Sequence, residues 1–293
     1  MKRIGIGLIA ALILILLAAP TQAPAQSAGP VTITLQFAAI RQGTVGLVRV
    51  AGEDLAEVRA VFQERVFQFY PDQAGFTGLI SAAMEQDVGT YNMQVWVRHG
   101  DGTAERIDQD VQVNYGEFGR FDIILPASMM PLLQPDINQA EKDKLFNIAG
   151  RFTPERYYTE GFILPSAAEQ IGWFGTWRLY NQSFWYQHTG LDMKMAIGTP
   201  IVAAASGRVM LSEMVAIRGG FVLIDHGWGI YTGYAHLSER YVVPGQWVKQ
   251  GDVLGLSGLN GRSSGAHLHW EVMAGGVWVD PLTFLDLGLI AGS

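Results

Sequence analysis

Hydrophobic and polar residues alternate along much of the chain, with the two-residue period of a strand that has one buried face. The alternation is clear over residues 31–37 and again over 91–98, and the turn signal His99-Gly100-Asp101-Gly102 precedes another alternating run through Val113. Several short strands at this spacing predict an immunoglobulin-like β-sandwich over residues 30–125. No polar residues in this region converge on an obvious chemistry, and His99 is expected to be a solvated surface residue.

The pattern changes over residues 126–160, which we interpret as a linker. Three prolines interrupt the chain before residue 136, and the helical period of Asp136–Ala149 then predicts one amphipathic helix. Its apolar side carries Ile137, Leu145 and Ile148. The sequence leaves open whether this linker is a passive spacer or lies across an active site.

From Phe162 onward the chain is again rich in strand-forming residues and closely spaced glycines. The predicted strands are Ile201–Ala205, Arg208–Leu211, Phe221–His226, Ile230–His236, Tyr241–Val243, Asp252–Ser257 and His267–Met273. No long amphipathic helix is predicted among them. The predicted fold class is therefore all-β, with the immunoglobulin-like sandwich followed by a compact antiparallel β-barrel or sandwich.

Composition narrows the classes of protein to consider. With 49% hydrophobic and 16% charged residues, the chain of 293 residues has the composition of a folded protein of two domains. The formal net charge of −7 argues against a nucleic-acid partner, which would favour a basic surface. Because there is no cysteine, disulfides and thiol nucleophiles are excluded. Any chemistry must come from histidines, carboxylates, hydroxyls or a metal.

The amino terminus has the pattern of a secretory signal peptide. Lys2 and Arg3 precede an apolar run over Ile4–Ala19, and small residues follow up to Ala25. The apolar run is shorter than the ~20 residues that span a bilayer comfortably. We therefore predict a signal peptide over residues 1–25, cleaved after Ala25, rather than an uncleaved anchor. The mature protein is expected in the periplasm, cell wall or extracellular space, with no stable membrane anchor.

Five of the six histidines are concentrated between Gln187 and Trp270. Four of these five lie in three short strings, at 188–192, 234–237 and 266–270, and His226 lies apart from them. On a strand, His267 and His269 share one face, and the spacing of four between His188 and Asp192 also gives a shared face. Nitrogen and oxygen donors in such a cluster suit Zn²⁺, which binds them tetrahedrally. Spacing alone does not settle which of the five residues (His188, Asp192, His236, His267 and His269) bind metal and which do other work.

The order of these strings resembles the lysostaphin-type (LytM-like) zinc metallopeptidases, which cut the peptide part of bacterial peptidoglycan. The shared pattern is His-x-Gly-x-Asp, then Tyr-x-His-Leu, then Gly-x-His-Leu-His, and the resemblance extends from Phe162 to Phe284. Flanking signatures agree in order: Phe174-Gly175 with Arg178, Gly198-Thr199-Pro200, Gly207-Arg208-Val209, Ile224-Asp225-His226-Gly227, Val248-Lys249-Gln250-Gly251 and Val279-Asp280-Pro281. The chain departs from the family at Gly219-Gly220-Phe221, Asn260-Gly261 and Gly265-Ala266. These departures affect loops along the groove, and therefore substrate preference more than chemistry.

The resemblance implies a role for each residue of the pattern. His188, Asp192 and His269 would bind one zinc ion per chain, while His236 and His267 would flank the catalytic water and the substrate. In the family these two act as general base and as stabiliser of the oxyanion, and the division between them stays open. The resemblance also implies a peptidase domain over residues 161–288, with a duplicated hybrid motif, a barrel-like sheet and an open groove. Its substrate would be peptidoglycan peptides.

Several alternatives stay open beside this interpretation. One is a non-catalytic relative that binds the wall or regulates an amidase, although such relatives typically lose zinc ligands and this chain retains all three. Another is a peptidase of a different exported protein. The aromatic stretch over residues 173–186 fits either core packing or a groove wall, and His226 is expected to be structural. Lys249 lies in a hairpin like that of lipoyl-carrier domains, but we interpret it as a polar turn of the peptidase pattern.

Overall fold

The structure, a computed structural model, describes residues 29–73 and 75–289. The predicted signal peptide over residues 1–25 lies outside the described residues. Within the described part, no helix is both long enough and apolar enough to cross a membrane. The described chain is nearly all β, as the alternation predicted.

The strands that precede residue 115 form one hydrogen-bonded sheet. They are β1 (Thr32–Leu35), β2 (Ile40–Arg41), β3 (Val45–Ala51), β4 (Leu55–Phe62), β5 (Arg65–Asp72), β6 (Gly75–Ser81), β7 (Gly89–His99) and β8 (Ala104–Asn114). Their order is β1-β3-β6-β5-β4-β7-β8-β2, antiparallel except for the parallel pair β2–β8. Alternate residues of β3 and β7, such as Val48 and Val95, are buried in one apolar cluster. The immunoglobulin-like assignment of this region stays a prediction.

His99 at the end of β7 differs from its prediction. Only 4% of the residue is exposed, and its ring contacts Glu105 (Nε2 to Oε1, 3.1 Å) and the Glu53 carbonyl (Nδ1 to O, 3.3 Å). The prediction of a solvated residue was wrong because His99 still belongs to the ladder, where it pairs with Leu55 of β4. The turn that exposes its neighbours begins only after it.

A second and larger sheet occupies the C-terminal part. Its strands are β10 (Gln170–Gly172), β13 (Leu191–Lys194), β14 (Pro200–Val202), β15 (Gly207–Val215), β16 (Gly219–Asp225), β17 (Ile230–Arg240), β18 (Trp247–Val248), β19 (Val253–Ser257), β20 (His267–Ala274) and β21 (Val277–Val279). The main path runs β10-β13-β20-β17-β16-β15-β18, with β14 and β19 paired beside it and β21 on β20. The sheet curls into a half-barrel, which confirms the predicted antiparallel barrel-like class.

One strand predicted in this part is wrong, since residues 241–243 form no strand. Pro244 follows them and has no N–H to donate to a ladder, which disfavours a regular strand just before it. Only Val242 is buried there, at 4% exposure, while its neighbours point to solvent. The alternation was therefore correct, but the continuous pairing that makes a strand is missing.

The linker is integrated with the C-terminal part. It contains a 3₁₀ helix (Ala127–Leu133) and α1 (Pro135–Ala149). The strand β9 (Arg120–Ile123) directly precedes it, and a short α2 (Pro281–Leu285) follows β21. β9 pairs in parallel with β11 (Trp177–Tyr180), which pairs with β12 (Phe184–Gln187) in a separate three-stranded sheet. α1 begins with Pro135, whose missing N–H would be unpaired at that position in any case. Leu145 of α1 is buried in one apolar cluster with Phe221 and Trp278 of the second large sheet, so this segment is more than a passive spacer.

The two large sheets meet at the hairpin formed by β20 and β21. The Ser81 hydroxyl donates to the Ala274 carbonyl (2.9 Å), and the Asp280 N–H donates to the Gly43 carbonyl (2.7 Å). These contacts lie at the far end of β20 from His267.

Candidate metal centre

The register of β13 and β20 places two predicted ligands side by side. Asp192 and His269 are direct cross-strand partners, so their side chains project from the same face of the sheet. Leu268 and Trp270 alternate with the histidines of β20 and are fully buried in the core on the opposite face. Burial of each such side chain contributes about 1.5–3 kcal/mol, which fixes the face on which His267 and His269 lie.

His188 reaches the same point from the segment that leads into β13. The chain there passes so close to β20 that a Cβ on Gly190 would lie 2.3 Å from the Trp270 carbonyl oxygen and 2.9 Å from His269 Cε1. Glycine at 190 is therefore required by close approach. It allows the His188 ring to lie against the His269 ring, with 4.7 Å between the ring centroids.

Three side-chain atoms converge within this buried cluster. His188 Nε2 lies 3.0 Å from Asp192 Oδ1 and 2.8 Å from His269 Nδ1, and the last two atoms are 2.8 Å apart. These three residues are the group in the described chain that could hold a metal ion. Two imidazole nitrogens and one carboxylate oxygen are a donor set that zinc accepts, with a fourth position left open.

The remaining ring nitrogens show why the three atoms are acceptors. His188 Nδ1 lies 2.8 Å from the Trp173 carbonyl, and His269 Nε2 lies 2.9 Å from Glu271 Oε1. Because both partners are acceptors, those nitrogens carry the protons of neutral rings. The opposite nitrogens then direct lone pairs at the carboxylate oxygen. Three acceptors repel one another, and either a metal ion or a proton on His269 Nδ1 removes that repulsion.

Burial and charge set the protonation of the cluster. Burial lowers the pKa of His188 to about 4, so this ring stays neutral at neutral pH. Burial alone would raise the pKa of Asp192, but His188 and the Arg178 guanidinium hold it well below its usual range. For His269, burial lowers the pKa, yet hydrogen bonds to Asp192 and Glu271 outweigh it and raise the pKa overall. Surroundings that attract a proton to His269 also attract a metal cation.

Arg178 fixes the second oxygen of the carboxylate ligand. Its Nη2 donates to Asp192 Oδ2 over 2.6 Å, and both side chains are largely buried. A Cβ on Gly172 would lie 2.6 Å from that oxygen and 2.7 Å from that nitrogen. With Oδ2 held by Arg178, only Oδ1 faces the two histidines.

The other two histidines lie next to the cluster, on the side of a groove. His267 Nδ1 donates to the Gly265 carbonyl (2.7 Å) and His236 Nδ1 donates to the Asn260 carbonyl (2.7 Å). Each Nε2 is therefore an unprotonated acceptor. The two ring centroids are 4.6 Å apart, and His267 Nε2 lies 3.5 Å from Asp192 Oδ1. Burial lowers the pKa of both rings.

A β-bulge brings His236 to this face. The register between β16 and β17 shifts between Gly220 and Val222, with one extra residue on β17. His236 has a left-handed backbone, with φ of 63°, which is uncommon for a residue other than glycine and often occurs at functional sites. Its neighbour Ala235 already pairs with His269. Strict alternation would therefore turn His236 away, and the bulge turns it back.

The groove in front of these histidines is a cavity of about 630 Å³. Its lining includes Asp192, His236 and His267, together with Phe121 and Asp122 of β9. No residue from 29–114 is part of this lining, so the first sheet does not cover the groove in the described structure. The predicted aromatic stretch divides, since Trp173 and Tyr180 line the groove whereas Phe184 and Tyr186 pack with Tyr180 in a small apolar cluster.

Two further residues of the site were not singled out from the sequence. Glu271 accepts from the predicted ligand His269, and Arg218 donates to Glu271. Glu271 follows His269 by two residues on the same strand, a spacing that could have revealed it, whereas nothing in the sequence places Arg218 there. His226 lies elsewhere, with Nδ1 donating to the Ser206 carbonyl (2.8 Å) and Nε2 beside the Thr232 hydroxyl (2.7 Å).

Comparison with known proteins identifies the segment that carries this cluster. Residues 186–281 match the family model "Peptidase family M23". The peptidoglycan DD-endopeptidase ShyA of Vibrio cholerae is 29% identical over 204 residues, which are 61% of this chain and 47% of ShyA. The DD-carboxypeptidase/endopeptidase Mpg of Neisseria meningitidis is 39% identical over 99 residues, 34% of this chain and 23% of Mpg. The chain thus spans less than half the length of either relative.

A solved structure extends the similarity of fold. A peptidase M23 structure from Pseudomonas aeruginosa aligns with a TM-score of 0.62 and 24% identity, covering 83% of this chain and 93% of that chain. The aligned part is therefore longer than the second sheet alone. With the convergent His-Asp-His cluster inside residues 186–281, the chain carries a peptidase domain of family M23.

Proposed function

We propose that this protein is an exported zinc metalloendopeptidase that hydrolyses peptide bonds in peptidoglycan. One observation carries the proposal: two imidazole nitrogens and one carboxylate oxygen converge on a common point beside a groove that holds two more histidines. Such a donor set would hold one zinc ion. When bound there, zinc polarises the scissile carbonyl and lowers the pKa of a water ligand to about 7.

The chain's own residues supply the rest of the chemistry. His236 and His267 each keep Nε2 free to accept a proton from the attacking water, because a backbone carbonyl holds the proton on Nδ1. A ring that has gained a proton can then donate it to the leaving amine. While it holds that proton at Nε2, the same ring can donate to the oxyanion of the tetrahedral intermediate. The low pKa of both rings keeps them unprotonated at neutral pH, as a base requires.

The substrate class comes from the relatives. ShyA and Mpg are named as endopeptidases that act on peptidoglycan or on DD bonds, and we infer peptidoglycan peptides, crosslinks or bridges, as the substrate here. Peptidoglycan lies outside the cytoplasm, so this function requires export of the protein. The predicted signal peptide over residues 1–25 would direct that export. We further propose an immunoglobulin-like domain over 30–125, a linker over 126–160 and the peptidase domain over 161–288.

Purified full-length protein tests this function directly. We expect about one zinc ion per chain by elemental analysis, and release of soluble fragments from isolated peptidoglycan. New amino termini and no reducing sugar ends should accompany that release, and mass spectrometry of the fragments names the bond. A non-catalytic wall-binding regulator would instead bind peptidoglycan without releasing fragments, and a peptidase of another protein would bind zinc but leave peptidoglycan intact.

A further inference from the structure

A buried carboxylate on the linker helix points towards the metal centre. Glu141 lies in the middle of α1 and is only 5% exposed. Its Oε2 accepts from the Ile217 N–H (2.7 Å), and its Oε1 accepts from Arg218 Nη1 (2.8 Å). A charged residue almost never occurs at this depth unless it is paired. The contact with Arg218 is what pairs it.

Arg218 continues the contact to the ligand. Its Nε donates to Glu271 Oε2 (2.8 Å) and its Nη2 to Glu271 Oε1 (2.5 Å), so the carboxylate is held by a two-pronged contact. Glu271 Oε1 in turn accepts from His269 Nε2 (2.9 Å). A continuous chain of charged hydrogen bonds therefore runs from α1 through Arg218 and Glu271 to His269.

The backbone of Arg218 makes a second connection. Its carbonyl accepts from the His236 N–H (2.7 Å), at the residue with the left-handed φ. One residue of the loop between β15 and β16 thus contacts both a ligand's carboxylate partner and the backbone of a groove histidine. Three charges at this depth lose their hydration, and breaking such a pair is strongly destabilising, whereas an apolar replacement of similar shape is often neutral. The position of the cluster beside the metal centre points to a role beyond stability.

We propose that Glu141 is a positioning residue for metal binding, which sets the orientation and donor strength of His269 through Arg218 and Glu271. The inference rests on the proposed function only in taking zinc as the metal. It adds a component from α1, which precedes the matched segment 186–281. The metal affinity of the domain then depends on a helix outside it.

The sign of the effect follows from charge. Glu141→Gln removes one negative charge and leaves the positive charge of Arg218 shared with Glu271 alone. Glu271 then interacts more strongly with Arg218 and accepts less strongly from His269 Nε2. His269 Nδ1 then becomes a weaker electron-pair donor to the metal, and the surroundings of the metal site become more positive. Both changes weaken zinc binding.

Zinc affinity of the full-length protein is the measurement, by competition of the metal-depleted chain with a chelator. Loss of a group that directly contacts a metal ligand costs about 10–100-fold in affinity, which we expect for Glu271→Gln. Glu141 lies one contact further away, so Glu141→Gln should weaken zinc binding about 3–10-fold. Co²⁺ as a second probe should show an altered visible absorption spectrum in the same two variants.

Glu213→Gln is the matched control. Glu213 on β15 forms an ion pair with Lys144 of α1, and both side chains are about two-fifths exposed. This variant therefore removes the same charge and also a contact of α1, without touching the chain to His269. Its zinc affinity should stay within twofold of the unmodified protein. Equal weakening in Glu213→Gln and Glu141→Gln would overturn the proposal.

A double variant and a packing variant separate positioning from general loosening. In a Glu271→Gln background, Glu141→Gln should cause a smaller further loss of affinity than it causes alone, because its route to His269 is already broken and only the change in net charge remains. Leu145→Ala removes a fully buried side chain of α1 and no charge. It should lower the melting temperature and leave the zinc affinity of the folded protein unchanged. The proposal is wrong if Leu145→Ala weakens zinc binding as much as Glu141→Gln, or if Glu141→Gln has no effect. Zinc binding without peptidoglycan cleavage would refute only the proposed function.

Discussion

The two groups of histidines share one hydrogen-bonding pattern but are proposed to have different roles. In the metal cluster, His188 and His269 have one ring nitrogen paired with a backbone carbonyl or a carboxylate, and the other directed at Asp192. In the groove, His236 and His267 also have Nδ1 paired with a carbonyl, but Nε2 faces a cavity of about 630 Å³. What differs is the distance to the carboxylate. The second nitrogens of His188 and His269 lie within 3.0 Å of Asp192 Oδ1, whereas His267 Nε2 lies 3.5 Å from it and both groove rings line the cavity.

This difference teaches how to separate ligands from reactive groups by geometry. Lone pairs that converge in a buried site require a cation. A lone pair that faces a groove is available to take a proton from a reactant. The comparison therefore predicts opposite effects of mutation on metal content in the two groups.

Loss of a convergent donor should have the largest effect. His269→Ala or Asp192→Ala removes one of the three proposed ligands, and the remaining two bind zinc only weakly. We expect zinc content and peptidoglycan cleavage both to fall below detection, measured by elemental analysis and by fragment release. Retention of stoichiometric zinc by either variant would show that the convergence does not define the metal site.

Loss of a groove histidine should separate activity from metal. His267→Ala should lower kcat by about 10²–10⁴-fold, the usual contribution of a general acid or base, while zinc affinity stays within a few-fold. The measurement is cleavage rate and zinc content on the same preparation. Full activity in this variant would refute the role given to His267.

His226 is a buried histidine whose two ring nitrogens both have hydrogen-bond partners. Its protonation should therefore change the stability of the folded protein. Burial lowers its pKa to about 4 in the folded state, below the value of about 6.5 in the unfolded chain. The unfolded state therefore binds more protons between these values. The contribution of neutral His226 to the free energy of unfolding is complete above pH 6.5. As the pH falls to 4, the free energy of unfolding decreases by on the order of 3 kcal/mol.

The matched variant for this pH effect is His226→Gln, which keeps a donor for the Ser206 carbonyl and an acceptor for Thr232. Denaturant unfolding from pH 7 to pH 4 should show a smaller loss of stability in the variant than in the unmodified protein. Parallel loss in both would mean that His226 does not titrate in this range.

The smallest effect on activity is expected from a mutation in the part of the groove lining that β9 contributes. Phe121 of β9 is 54% exposed beside the cavity, and its removal should cost about 1 kcal/mol of substrate contact. Phe121→Ala should therefore raise KM about fivefold with kcat and zinc content unchanged. A change in zinc content would mean that β9 supports the metal cluster and not only the groove wall.

The sequence predicts some parts of this site better than others, for physical reasons. Alternation along β20 is a local property, so the shared face of His267 and His269 follows from the residues themselves. The position of His236 depends on a bulge and a left-handed φ, which alternation does not reveal. The contact between Glu141 and Arg218 joins residues 77 positions apart, and no local pattern contains such a pairing. His99 shows the same limit, because its burial depends on the neighbouring strand.

The parallel pairing of β9 with β11 has a consequence for dividing this chain. The sequence pattern invites a cut near residue 161, which would remove β9 and α1. The strand Trp177–Tyr180 would then lose its partner along one edge, and an unpaired edge recruits strands from other molecules. A shortened protein of this kind should therefore tend to self-associate, with exposed tryptophans at 177 and 185 beside the open edge.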